Sequence, residues 1–302
     1  PGVGASSTLI KAHDPTTGRA VGVVHNRTSG YMTVTTLLAP GGSLMAPTAA
    51  VQSSLRTWSS VLDAMSTDEQ IKGASVTIQI TPGAGAALGD DVKARKDPAA
   101  PRLAKQVIDE LVRTMPHATA SVAPWMTVTV DPDATATPPA DLAEKVAEAL
   151  RVVDSLDLSG TGTDIERRAT DVDLRRIVRS AYDPEVFNAR DAEFGELSWA
   201  ECGPQAADDD WETYAHDGGV SVSWVLREMP RRPIPYSVLL PLLAPGRFQR
   251  RITLSYRVLD PMEGEAVLER EIANAHMRAQ ATAEVKGRAK WSQRADAQRA
   301  EK

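Results

Sequence analysis

The sequence is poor in cysteine, in phenylalanine and in long apolar runs, and each shortage narrows the class of protein. Its single cysteine, Cys202, has no partner for a disulfide within the chain, which suits a reducing compartment. Three phenylalanines in 302 residues, beside many Ala, Thr, Arg and Asp, are typical of high-GC bacteria. The longest apolar run, residues 238–244, contains Pro241 and is far shorter than the roughly 20 residues of a membrane helix. We therefore expect a soluble, cytoplasmic polypeptide that does not itself cross a bilayer.

Charge and length set further limits. A net charge of -6 argues against a grip on nucleic acid or anionic lipid by the protein as a whole, although local patches can still bind phosphate. With 42% hydrophobic residues the chain can bury a core as one large domain or two ordinary ones. It starts at Pro1 rather than Met and ends in a charged, Ala-rich helical pattern, so we expect a piece of a longer protein.

The first half of the chain predicts strands that alternate with helices. Residues 19–26 and 31–38 are β-prone runs on either side of a turn with Gly30, which predicts a hairpin. Apolar residues then recur at helical spacing from Pro47 onward, and residues 75–81 alternate like a strand that Pro82 ends. The helical stripe consists of Val51, Leu55, Trp58, Leu62 and Met65. This predicts a helix that covers a sheet.

Two more helices and a strand complete this half. We predict a helix at 103–115, a strand at 126–130, and a helix that begins at the N-cap Asp141, with Glu144 three positions later. The order of elements favours an α+β fold with mostly antiparallel sheets and helices packed on one face. Residues 1–155 would form the N-terminal α+β domain.

The second half predicts a similar sandwich-like unit. A polar loop at 155–169 precedes a short helix at 172–181, and strands are expected at 220–224 and 252–258 around a short helix at 236–244. Residues 183–217 are acidic, so repulsion should keep them extended or loop-like, with Trp199 and Trp211 holding them against the body. We therefore predict a second α+β half with an acidic loop at 156–262 and a C-terminal charged helix at 263–302.

Two patterns could indicate catalysis or phosphate binding. Gly83, Gly85 and Gly89 follow a strand, but no Gly-Lys-Ser/Thr completes a phosphate loop, so a flexible loop is favoured. Residues 160–164 are better explained as a turn with a helix cap. Cys202 and His216 could form a nucleophile and base, but an ordinary, partly buried cysteine with a pKa raised by its acidic neighbours is favoured.

Metal binding finds little support. The five histidines lack paired ligand spacing, and the acidic residues near position 210 match no calcium loop. We therefore predict no catalytic residue, no cofactor and no metal, and a solvated acidic loop or a docking surface for a basic partner.

Clustered charges are the best candidates for partner binding. An arginine cluster contrasts with the acidic loop and could hold the phosphates of nucleic acid, or pair with that loop within or between subunits. The cluster consists of Arg227, Arg231, Arg232, Arg247, Arg250, Arg251 and Arg257. The predicted partner-binding residues are Asp208, Asp209, Asp210, Glu212, Arg231, Arg232, Arg250 and Arg251.

Several segments resemble a known family. The segments are LSWAECGP at 197–204, WETYAHD at 211–217, VSVSW at 220–224, SVLLPLLAP at 237–245 and RITLSYRVLDP at 251–261. They resemble actinobacterial integral membrane proteins encoded in conjugation, type IV secretion-like gene clusters. The likeness covers most of the chain from Gly18 onward and involves structural rather than catalytic segments.

This resemblance implies a setting and partners. Members of that family carry membrane-spanning segments ahead of a soluble part and are thought to work beside a conjugation ATPase. The chain would then be a non-catalytic domain at the cytoplasmic face of the membrane, docking that ATPase or other subunits of the apparatus. Three alternatives stay open: a nucleic-acid-contacting domain that uses the arginine cluster, a type VII secretion-like structural component, and a hydrolase that uses Cys202.

Overall fold

An antiparallel sheet of seven strands organises the computed structural model. The structure describes residues 5–40, 46–82, 101–114, 120–184, 186, 191–217, 219–226, 236–244, 246, 248–259, 262–270, 272–273 and 277. The strands of the large sheet are β1 (Ser7–His13), β2 (Ala20–Asn26), β3 (Met32–Pro40), β4 (Ile71–Pro82), β5 (Ala120–Val130), β6 (Thr163–Arg168) and β10 (Arg250–Arg257). Their order is β1-β2-β3-β5-β4-β10, and β6 pairs with β3 off this path.

Three short strands form a second, smaller sheet in the order β7-β8-β9. They are β7 (Ala207–Asp209), β8 (Tyr214–His216) and β9 (Gly219–Ser221). The α-helices are α1 (Thr48–Thr67), α2 (Arg102–Thr114), α3 (Leu142–Asp154), α4 (Asp171–Tyr182), α5 (Asp191–Glu196) and α6 (Leu240–Leu243). Single 3-10 turns occupy Ala200–Cys202 and Tyr236–Leu239. The predicted α+β class with mostly antiparallel sheets is confirmed.

The chain divides into two compact units, residues 1–257 and 258–302. In the second unit, residues 262–270 are helical. The predicted boundaries at 155 and 262 stay predictions. Strands from both sides of residue 155 share the large sheet, because β10 pairs with β4 and β6 pairs with β3.

The predicted hairpin of β2 and β3 is confirmed, with Gly30 at a φ of 77° in the connecting turn. Glycine has no Cβ and adopts this left-handed conformation without strain. The side chain of Asn26 accepts from the backbone N–H of Thr28, and the backbone N–H of Gly30 bonds the carbonyl of Asn26. These contacts fix the register in which Val23 faces Val34.

One face of the large sheet is apolar and is covered by α1 and α3. The helix α1 buries Val61 and Met65, and α3 buries a longer stripe that includes Val146 and Leu150. The predicted cap of α3 is confirmed, since the Asp141 carboxylate accepts from the backbone N–H of Glu144 at 2.9 Å. The core therefore lies between these two helices and the sheet.

The opposite face carries hydroxyl and amide side chains and is covered in part by α4. Side chains alternate along a strand, so Gln79 points to the face opposite the apolar Val76. Arg251 bonds both Gln79 and the Ile177 carbonyl of α4, so this is the face that α4 covers. Helices therefore pack on both faces rather than on the one that the sequence predicted. The polar side chains of this face can form hydrogen bonds with a helix. This allows α4 to pack on it.

The start of α4 passes very close to β2. Its N-cap Thr170 and Asp173 bond each other reciprocally, which fixes the first turn. A Cβ on Gly22 would lie 2.7 Å from the Leu174 side chain and 2.8 Å from the backbone nitrogen of Asp171. Only glycine allows this approach, so the start of α4 can pack directly against the backbone of β2.

Two strands of the large sheet were not predicted. The strand β1 pairs with β2 along its whole length, and β6 lies in a stretch that the sequence predicted to be a polar loop. Its sequence TDIERR has a single large apolar residue, Ile165, so alternation gives little signal. Pairing with β3 makes it a strand.

Candidate interaction surface

The acidic segment 183–217 is folded onto α4 through the arginines of that helix. Arg176 forms an ion pair with Asp191, and Arg179 bonds Asp217 at 3.1 Å. Arg175 donates to the carbonyl oxygen of Phe194 at 3.4 Å. The segment was predicted to be extended or loop-like, and it also contains α5, a 3-10 turn, β7 and β8, because these cations offset the acidic charge.

The two tryptophans of this segment behave differently. Trp199 donates from Nε1 to the Ser7 hydroxyl at 2.9 Å, which pins the segment to β1 as predicted. Trp211 is fully exposed, at 104% of its reference surface, so its predicted packing role was wrong. It lies instead in the turn between β7 and β8, where hydrogen bonds within the turn leave its ring in solvent.

Exposed carboxylates surround Trp211 in the sequence and in the turn. Asp208 and Asp209 project from the exposed strand β7, and Glu212 is also exposed. The Asp210 carboxylate accepts from the backbone N–H of Glu212 at 2.8 Å and of Thr213 at 2.6 Å. The hydrogen bond from Thr213, and then the one from Glu212, lower the pKa of Asp210. Its carboxylate therefore stays charged and holds the turn. We call Asp208, Asp209, Asp210, Trp211 and Glu212 the acidic surface.

Arg251, one of the predicted partner-binding arginines, is used inside the chain. It donates from Nε to Gln79 at 2.7 Å and from Nη2 to the Ser180 hydroxyl at 3.1 Å and the Ile177 carbonyl. Its guanidinium also lies 5.4 Å from the centroid of the Trp125 ring. Burial lowers the pKa of Arg251 to about 10. Arg251 therefore joins β10 to β4 and to the end of α4.

The other members of the arginine cluster are only partly described. Arg250 donates to the carbonyl oxygen of Ala244. Arg231 and Arg232, which were predicted to bind a partner, lie outside the described residues. The ion pairs of the acidic segment go to α4 and not to Arg250 or Arg251 among the described residues. The arginines of α4 had not been singled out from the sequence.

Cys202 and His216 do not form a nucleophile and base. The Cys202 thiol is buried and donates to the carbonyl oxygen of Ser198 at 3.3 Å. Burial is the main cause that raises its pKa to about 11, and the charge of Glu201 adds to it, so the thiol is protonated at neutral pH. His216 bonds Ser221 instead, at 2.6 Å.

The Ser221 and His216 pair fastens the hairpin of β8 and β9. The imidazole also contacts the ring of Tyr182 at 5.3 Å and that of Tyr214 at 5.5 Å. In a hydrolase, an acceptor at Nδ1 orients the imidazole. Among the described residues, Nδ1 of His216 is buried without such a partner. The sequence had not singled out Ser221.

The structure describes one of the two glycine motifs. Gly160 and Gly162 have φ of 76° and 83° in a turn, as predicted, but the strand β6 follows where a helix cap was expected. Gly83, Gly85 and Gly89 lie outside the described residues. In the part of the chain that the structure describes, no three His, Cys, Asp or Glu residues are grouped as metal ligands.

A cleft of about 210 Å³ opens between α1 and the apolar face of the sheet near β10. Trp58 covers it from α1, and Leu254 and Tyr256 line it from β10. Trp58 donates from Nε1 to the Tyr256 hydroxyl at 3.2 Å, with the two ring centroids 5.9 Å apart. The cleft is otherwise lined by Leu38, Val76, Met126, Leu158, Thr161 and Thr163.

Comparisons with known proteins and the search for membrane spans gave negative results. No family model, no curated protein and no solved structure matches the chain. Across the described ranges, no helix has both the length and the apolar composition needed to cross a bilayer. The geometry of the acidic surface is therefore the basis for a functional proposal.

Proposed function

We propose that the chain is a non-catalytic protein-docking domain of a membrane-anchored conjugation or type IV secretion-like component. It acts at the cytoplasmic face of the membrane and binds the ATPase of the apparatus, or a neighbouring subunit, through the acidic surface. The observation that carries the proposal is the fully exposed ring of Trp211 among exposed carboxylates. The setting and the ATPase come from the resemblance of the segments between residues 197 and 261.

An exposed indole with charged neighbours has the composition of a docking anchor. Tryptophan is among the residues that contribute most to protein interfaces, because it buries a large, rigid surface. The turn that presents Trp211 is already ordered by the two hydrogen bonds to Asp210, so binding costs little further ordering there. Nearby carboxylates accelerate the encounter with a basic partner and fix its orientation.

The structure gives no comparable support to nucleic-acid binding. Arg250 and Arg251 bond groups of the chain itself, and Arg251 is half-buried against Gln79 and Ser180. A phosphate contact needs a guanidinium that can reach the solvent. The acidic surface on the same unit would also repel the nucleic-acid backbone.

The test is a binding titration between the chain and the purified ATPase encoded in the same gene cluster. Trp211→Ala should weaken binding by about 2 kcal/mol, or roughly thirtyfold, because the anchor is lost. Asp208→Asn, Asp209→Asn and Glu212→Gln combined should slow association and reduce its dependence on salt. Asp210 stays unchanged in both variants because it holds the turn.

A charge-matched control separates a specific surface from a general effect of charge. Asp63→Asn, Glu69→Gln and Asp164→Asn remove three exposed carboxylates elsewhere and should leave binding unchanged. Equal binding by the Trp211→Ala chain and the unchanged chain would remove the acidic surface from the mechanism. Equal weakening by the control would reduce the effect to net charge.

A further inference from the structure

A short exposed segment follows β9. Residues 222–226 leave this strand with the sequence VSWVL, and their large apolar side chains lie in solvent. The exposed fractions are 53% for Val222, 91% for Trp224, 88% for Val225 and 67% for Leu226. Contiguous apolar surface of this kind marks an interaction site in soluble proteins.

The edge strand β10 offers a matching surface. It ends the order of the large sheet, and among the described residues it pairs with β4 on one side only. An open edge presents N–H and C=O groups that can bond another strand. Thr253, Leu254 and Ser255 are exposed along it.

The two segments match in side-chain type at four of five positions, the exception being Val225, which would face Thr253. In β10, Ile252, Leu254 and Tyr256 point to the apolar face, and Thr253 and Ser255 point to the hydroxyl face. In an antiparallel ladder with Trp224 opposite Leu254, two more apolar pairs form and Ser223 faces Ser255. The apolar pairs are Val222 with Tyr256 and Leu226 with Ile252.

The cleft beside β10 suits the largest of these side chains. It measures about 210 Å³, and Leu254 and Tyr256 form its β10 wall. A dry cavity of about 150 Å³ in another protein holds a benzene ring, so this cleft can admit an indole. In the ladder described, Trp224 lies at the mouth of the cleft.

Both partners of this ladder are fixed to the same helix within one copy. The small sheet contacts α4 through His216 and Tyr182, and β10 contacts it through Arg251 and Ser180. In that arrangement they are not paired with each other. Pairing of β9 and its extension with β10 of a second copy leaves these contacts intact, and a two-fold axis makes the exchange reciprocal.

We propose that two copies of the chain associate by reciprocal strand addition. Residues 222–226 of each copy extend β9 and pair with β10 of the other, and Trp224 enters the cleft between α1 and β10. The large sheet of each copy then continues into the small sheet of its partner. This contact is separate from the acidic surface, so the two proposals can fail independently.

The first experiment measures self-association of the chain by light scattering over a concentration series. The expected result is a dimer that Trp224→Ser weakens by at least about tenfold, because the anchor of the interface is lost. Trp211→Ser is the matched control, since it removes an equally exposed indole from the acidic surface, and it should leave the dimer unchanged. A monomer at every concentration, or a dimer insensitive to Trp224→Ser, overturns the proposal.

The second experiment tests the register and the identity of the partner strand. A mixture of a Ser223→Cys chain and a Ser255→Cys chain should form a disulfide between chains, detected by mass spectrometry of the linked peptides. Cys202 is buried and should take no part. In a chain that carries both substitutions, a disulfide formed within one monomer would show that the segment pairs with its own β10. In the mixture, absence of a disulfide would exclude this register. Either result overturns the proposal.

Discussion

Arg179 donates from Nη1 to Oδ2 of Asp217 at 3.1 Å, and this bond ties α4 to the turn between β8 and β9. The other carboxylate oxygen of Asp217 accepts the backbone N–H of Gln205 at 2.8 Å and of Ala206 at 3.2 Å. Asp217 has a φ of 45°, a left-handed conformation that Asp and Asn tolerate better than most residues. One carboxylate therefore holds the helix, the approach to β7 and the hairpin together.

Asp217→Asn should destabilise the chain at neutral pH and have little effect in acid. Hydrogen bonds from the backbone N–H of Ala206 and Gln205, and then the contact with Arg179, lower the pKa of Asp217 below its ordinary value of 3.8. A lowered pKa gives stability that is complete above the ordinary value and is lost as the pH falls through the value of the folded state. Asn keeps the left-handed backbone and lacks the charge.

Urea unfolding of both chains, followed by tryptophan fluorescence, checks this prediction. The difference in free energy of unfolding between the two chains should be largest near neutral pH and should shrink below pH 3.8. A difference that is the same at both pH values would show that the charge of Asp217 contributes nothing.

Arg251→Met should lower the free energy of unfolding by about 2–4 kcal/mol. The substitution leaves the buried Gln79 amide oxygen, the Ser180 hydroxyl and the Ile177 carbonyl without the donor that they share. The free energy of unfolding of Arg251→Lys should lie between those of the unchanged chain and Arg251→Met, because an ammonium carries the charge without the planar fork of a guanidinium. Denaturant titration measures all three.

Arg19→Met is the control for that series, since Arg19 is exposed and should cost less than about 0.5 kcal/mol. If Arg251→Met cost no more than this control, the contacts of Arg251 with α4 would have no role in stability.

Gly22→Ala should destabilise the chain by about 3 kcal/mol through overpacking. The added methyl group would lie 2.9 Å or less from the backbone of Thr170 and Asp171 and from the Leu174 side chain, and the start of α4 cannot move away easily. Gly195→Ala in α5 adds the same methyl group where nothing lies within 4 Å, and it should be neutral or stabilising by up to about 1 kcal/mol. Thermal unfolding of the two variants distinguishes them, and equal melting temperatures would contradict the close approach of α4 to β2.

Local patterns predicted the elements whose causes are local. Gly30 marked the hairpin, the pair Asp141 and Glu144 marked the start of α3, and the alternation up to Pro82 marked β4. Each signal depends on backbone conformation or periodicity within a few residues. The α+β class followed from their order.

Contacts between distant parts of the chain were beyond such patterns. Arg251 lies 172 positions from Gln79, so its burial could not be foreseen, and β6 becomes a strand only by pairing with β3. Trp211 was predicted to pack on the body, because large apolar residues are usually buried. In the structure its ring is exposed, in the turn that Asp210 holds. For the acidic surface, the sequence predicted the charges and missed the exposed ring of Trp211 among them.

The position of α4 gives the molecule a mechanical property. Its first turn abuts β2 at Gly22, its last turn is bonded to β10 through Arg251, and it carries the small sheet through Arg179. A force on that small sheet is therefore transmitted through α4 to β10, the edge strand at one end of the seven-stranded sheet, and to β2, the strand next to the other edge. A force applied by a partner at the Trp211 turn would therefore act on α4, β2 and β10 and not on one hairpin alone.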